Sequence, residues 1–262
     1  MRGLERPPRW GIVALVVLVI GNAALLTYLF VLRPEPTDPY VRSTSAAAPT
    51  TPAAEPTADA PPVAESPEAP PVLAVYGDGY TTGSSLGGQG AQGWPALVAQ
   101  RLGADLRQAA VSMAGYAAVG VTGETFPDLV AANPVPDADV VIVFGSRNDT
   151  GSSLAAVERS ATETLATLRA NSPEAQLLVI GPAWSNASPP ADLDDLSDAV
   201  ERAATAVGAA YVDPLTEGWF AESATLIADD GISPTDDGHA YLADQITPLV
   251  ESALTTLAQP SA

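Results

Sequence analysis

The sequence predicts an α/β protein: about five parallel strands covered by helices on both faces, a three-layer α/β/α sandwich preceded by one transmembrane helix. Three observations predict it. Beyond residue 72, short apolar runs alternate with stretches of helical spacing. Those runs are continuously apolar, as strands buried on both faces require. Ahead of them, Trp10 to Leu32 carries no charge and is long enough to cross a hydrocarbon core of ~30 Å.

Taken in order, residues 1–9 form a short arginine-bearing N-terminus. Arg2, Arg6 and Arg9 precede the apolar segment, whereas Arg33 and Arg42 follow it among acids. That bias places the N-terminus in the cytoplasm and the rest of the chain outside. A cleaved signal peptide is the alternative, but its apolar region would be roughly 7–15 residues and end at small side chains. Here the segment 10–32 ends Tyr28-Leu29-Phe30-Val31-Leu32, so an uncleaved anchor is expected. Residues 33–71 are rich in Pro, Ala, Thr, Ser and Glu. They cannot bury enough apolar surface to offset their ordering entropy and read as a disordered stalk.

The globular region spans 72–258, with 259–262 a tail. Strands are predicted at Val72–Tyr76, Asp105–Val111, Ala138–Phe144, Gln176–Ile180 and Ala210–Val212. Helices are predicted over Trp94–Leu102, Ser152–Ala170, Leu193–Val207 and Thr235–Leu257. Asn171-Ser172-Pro173 terminates one, and Gly208 closes another. Ser233 before Pro234 has the pattern of an N-cap with proline at N1. Ligands of such sheets bind beyond the carboxyl ends of the strands, so the loops after Tyr76, Val111, Phe144, Ile180 and Val212 hold the candidate site.

Composition excludes several classes of function. The net charge of −20 comes from 31 acids against 11 bases, all arginine; such a chain is repelled by nucleic-acid phosphates. There is no cysteine, hence no disulfide or thiolate metal site, and a single histidine, His239. No metal or cofactor motif is present, so none is expected.

The loops carry Gly77-Asp78-Gly79-Tyr80, Gly145-Ser146-Arg147-Asn148-Asp149, and Asp230-Gly231-Ile232-Ser233 followed by Gly238-His239-Ala240-Tyr241-Leu242-Ala243. Together and in this order they resemble the SGNH (GDSL-type) hydrolases over about 72–258. The resemblance implies a flavodoxin-like sandwich and hydrolysis of esters by a Ser-His-Asp arrangement with an oxyanion hole. It assigns Asn148 to that hole and Asp230 to the triad acid. It also implies three departures: Gly79 stands where the nucleophilic serine belongs, and Ser233 where the histidine base belongs. Met113 stands where an oxyanion-hole glycine belongs, with Gly115 as the alternative alignment. The expected cleft is therefore Asp78, Gly79, Met113, Asn148 and Ser233, with Asn148 and Asp230 the retained catalytic positions. Ser84, Ser85 and His239 read as ordinary loop and helix residues, and Arg147 as a surface charge rather than a cleft cation.

Three functional readings stay open. The first is a membrane-anchored, catalytically inactive module of the cell envelope that binds a glycan, an acylated ligand or a protein partner. The second is an active esterase with a rearranged nucleophile. The third is a structural or assembly component.

Overall fold

The computed structural model describes residues 69–222 and 225–259. The expected anchor (10–32) and all of the expected stalk before residue 69 lie outside them. Among the described residues no helix is long and apolar enough to cross a membrane.

The strands are β1 (Val72–Gly77), β2 (Asp105–Ala110), β3 (Val140–Phe144), β4 (Gln176–Ile180) and β5 (Ala210–Val212). All pair in parallel in one sheet of order β2-β1-β3-β4-β5. The helices are α1 (Gly79–Thr82, one turn), α2 (Trp94–Leu102), α3 (Phe126–Ala132), α4 (Leu154–Asn171), α5 (Asp192–Ala206) and α6 (Asp236–Leu257).

The alternation of side chains along each strand divides the core in two. Ala74, Tyr76, Val141, Val143, Leu177 and Val179 face one layer, packed against Val130 of α3, Leu165 of α4 and Val200 of α5. Leu73, Val75, Ile142, Phe144, Leu178 and Ile180 face the other, against Val98 of α2 and Leu242 and Ile246 of α6. The central strand β3 is buried along its whole length. The edge strand β2 is largely exposed and carries the Arg107–Asp105 ion pair on its surface.

Two expectations need correction. The sequence reading missed α3, although Thr125 and Asp128 form a capping box in which the Thr125 N–H donates to Asp128 Oδ2 at 2.9 Å. And α6 is capped by Thr235, whose hydroxyl accepts from Gly238 N–H at 3.1 Å, not by Ser233. Thr235 is drawn into that position because its N–H donates to Leu226 O, while the Ser233 hydroxyl is taken by Asp230.

Candidate functional site

In this strand order β1 and β3 lead their connections to opposite sides of the sheet, which opens a crevice at their carboxyl ends. A cavity of about 300 Å³ lies there. Asp78, Gly79, Met113, Asn148 and Ser233 all line it, together with Tyr80, Ser84, Ser112, Arg147, Ile232 and His239.

Asp78 organises the floor. It follows β1, is 4% exposed, and caps α1 by accepting Tyr80 N–H at 2.9 Å. Asn148 Nδ2 donates to Asp78 Oδ2 at 2.7 Å and to Ala114 O at 2.9 Å, so both amide hydrogens are engaged. Burial pushes the Asp78 carboxyl up to about 6, against the opposing pull of the Tyr80 N–H, Arg147, Ser146 and Asn148.

Gly79 is the first residue of α1. A Cβ placed on it would meet only Ser112, with Oγ at 3.3 Å and Cα and Cβ at 4.0 Å, and the position lines the cavity. Met113 has φ +66, the left-handed conformation that glycine adopts without cost, and is 59% exposed. Gly115 instead packs on the Asp149 carboxylate and is not part of the cavity wall. Of the two, Met113 lines the cleft and Gly115 does not. Gly115 belongs to a different device: Asp149, 1% exposed, accepts the N–H groups of Tyr116, Ala117 and Ala118 at 2.7–2.8 Å and fixes the loop after β2.

Asp230 sits at the tip of a loop closed by the Ile227–Pro234 bridge. It accepts Ile232 N–H and Ser233 N–H at 2.8 Å and the Ser233 hydroxyl at 2.7 Å. These donors, the hydroxyl first, hold its carboxyl below the usual range. Asp230 does not itself line the cavity, but its partners Ile232 and Ser233 do.

His239 is a residue of α6, as expected, and faces inward. It is fully buried, and its ring lies against Gly88, where an added Cβ would fall 2.0 Å from Nε2. Nδ1 accepts Trp94 N–H at 3.4 Å, and Nε2 has no partner among the described residues. Desolvation lowers its pKa to about 4, only partly opposed by Asp236, so the imidazole is neutral at pH 7. No serine hydroxyl among the described residues bonds to it; the Ser84 hydroxyl accepts Leu86 N–H at 3.1 Å.

Arg147 was expected on the surface and instead lines the cavity. Its place is set by Tyr80 and Trp184, far away in sequence, whose rings hold its guanidinium.

Residues 75–241 match the sequence profile of the GDSL-like Lipase/Acylhydrolase family. The chain belongs to the GDSL/SGNH hydrolase family. It is 41% identical over 192 residues to the GDSL lipase Rv0518 of Mycobacterium tuberculosis, covering 70% of this chain and 82% of that protein. Among solved structures it is similar to TesA, with 25% identity and a TM-score of 0.56, covering 70% of this chain and 99% of that one. It also shares the fold of a family 2 carbohydrate esterase from Corynascus thermopiles (Myceliophthora fergusii), at 20% identity and a TM-score of 0.60 over 74% of this chain and 69% of that one.

Proposed function

We propose that this GDSL/SGNH domain is a non-catalytic binding module, held outside the cytoplasm by residues 10–32 and 33–71, whose cleft takes a ligand of the cell envelope. One observation carries the reading: the cavity is open, but neither reagent position offers a reagent. Gly79 supplies no attacking oxygen. Ser233 supplies a hydroxyl already spent on Asp230, and a hydroxyl is far too weak a base to stand in for imidazole near pH 7. Loss of nucleophile or base from such a unit costs on the order of 10⁶ in turnover. Acylated molecules and glycans are candidate ligands because similar proteins are named lipase and carbohydrate esterase.

The test is hydrolysis of short p-nitrophenyl esters together with fluorophosphonate labelling. No turnover above background and no label are expected. Gly79→Ser with Ser233→His, and with Met113→Gly added, is expected to restore weak hydrolysis, while each single change restores little.

A second reading has one observation in its favour. The Ser112 hydroxyl lies beside the open position at Gly79 and could attack in place of the missing serine. No histidine contacts it, which favours the first reading. Wild-type hydrolysis abolished by Ser112→Ala or Ser84→Ala would replace the binding module with an active esterase.

A further inference from the structure

Arg147 is held in an unusual way. Its guanidinium carbon lies 5.4 Å from the ring centroid of Tyr80 and 5.0 Å from that of Trp184. Tyr80 is itself fixed, edge-on to Phe144 and Phe220, with its hydroxyl donating to Ile232 O at 3.0 Å. The three residues come from the ends of β1, β3 and β4. Contact with ring faces holds a guanidinium without consuming its N–H groups. None of those N–H groups has a hydrogen-bond partner among the described residues, and no carboxylate among them forms an ion pair with Arg147. Arg101, Arg107 and Arg202 are paired with Asp244, Asp105 and Glu158, and Arg169 donates to Ala175 O; Arg159 also has no partner among the described residues, but it stands exposed on α4, whereas Arg147 is in the cavity.

We propose that Arg147 is the receptor for a carboxylate or phosphate on the ligand of this cleft, and that the ligand's apolar part lies against Tyr80, Met113 and Ile232. This rests on the cleft being a binding site. A fixed, planar donor fork matches both oxyanions, and its immobilisation lowers the entropy lost on binding. The nearest carboxylates do not satisfy it: Asp78 is bonded to Asn148 and Tyr80 N–H, and Asp230 to Ser233. Asp78 and Asp230 feel the Arg147 charge without bonding to it, so in a chain of net charge −20 its N–H fork is what remains open to an anion in the cavity.

The test titrates the full-length protein with benzoate, phenyl phosphate and the neutral benzamide by calorimetry, for wild type, Arg147→Gln and Arg147→Lys. Wild type is expected to bind at least one anion about tenfold more tightly than benzamide, with the advantage shrinking as salt is added. The tighter anion identifies the headgroup as carboxylate or phosphate. Arg147→Gln should remove the advantage of the anions over benzamide. Arg147→Lys, which keeps the charge but loses the fork, should retain part of it and serves if the Gln variant does not fold. Equal wild-type affinity for all three probes, or an anion advantage that survives in either variant undiminished, overturns the role of Arg147. If benzamide binding is then still lost in Met113→Trp, the cleft remains a binding site. No saturable binding of any probe overturns both.

Discussion

Replacing His239 by glutamine should expose a pH dependence that the wild-type protein conceals. Two cavity residues titrate in opposite senses over nearly the same range. His239 has a folded pKa of about 4 against an ordinary 6.5. Between those values the unfolded chain carries a proton that the folded protein does not, so stability falls as pH drops from 6.5 to 4. The difference corresponds to about 3 kcal/mol below pH 4. Asp78 has a folded pKa of about 6 against an ordinary 3.8. Between those values the folded protein carries the extra proton, so stability falls as pH rises from 3.8 to 6, again by about 3 kcal/mol. The two contributions nearly cancel. The assay is urea unfolding of wild type, His239→Gln and Asp78→Asn at intervals from pH 4.5 to 7.5, read as differences from wild type so that other carboxylates drop out. Relative to wild type, His239→Gln should gain about 2 kcal/mol on going from pH 6.5 to 4.5, and Asp78→Asn should lose a similar amount over the same change. A His239→Gln difference that does not vary with pH would refute the neutral, desolvated imidazole, because it would mean that His239 takes up its proton in the folded state.

Gly88→Ala should destabilise the domain by about 3 kcal/mol, combining a left-handed alanine (φ +76) with a Cβ 2.0 Å from His239 Nε2. Adding His239→Ala should return part of that loss in a double-mutant cycle, and strict additivity would show that the ring is not what fills the space. Asp149→Asn should cost about 2–3 kcal/mol by urea unfolding, because one amide oxygen cannot replace a carboxylate serving three N–H groups; a loss under 0.5 kcal/mol would mean that the 114–118 loop is held by other contacts. The full-length chain should fractionate with membranes and keep its N-terminus; a mature protein beginning near Ser43–Ala48 would identify a processed secretory protein instead.

The centre of the sheet was legible because its strands are local signals, whereas the edge strand β2, DLRQAA, is half polar and exposed rather than an apolar run buried on both faces. VVIVF at 140–144 and LLVI at 177–180 are apolar without interruption, and their buried faces do not depend on which neighbour covers them. Helix α3 was harder to see: seven residues, FPDLVAA, give barely two turns of periodicity, and only the Thr125–Asp128 box marks its start. The cap of α6 was misread because Ser233-Pro234-Thr235-Asp236 offers two hydroxyls three residues before an N–H, and the choice is made by Leu226 and Asp230. At the site, the loops could be named from the ends of the strands. The setting of Arg147 could not, because Tyr80 and Trp184 are 67 and 37 positions away and nothing in Gly-Ser-Arg-Asn-Asp states which way the guanidinium turns.

The turn at Asp78–Thr82 is held by its own main chain and by the Asp78 carboxylate; no side chain at position 79 takes part. Scaffold and reagent are therefore separable here. Thermal melts, expression yield and circular dichroism will report a glycine and a serine at this position as near equals, so a survey of such domains by folding behaviour alone will group the competent with the incompetent. Sorting them requires a probe that reacts.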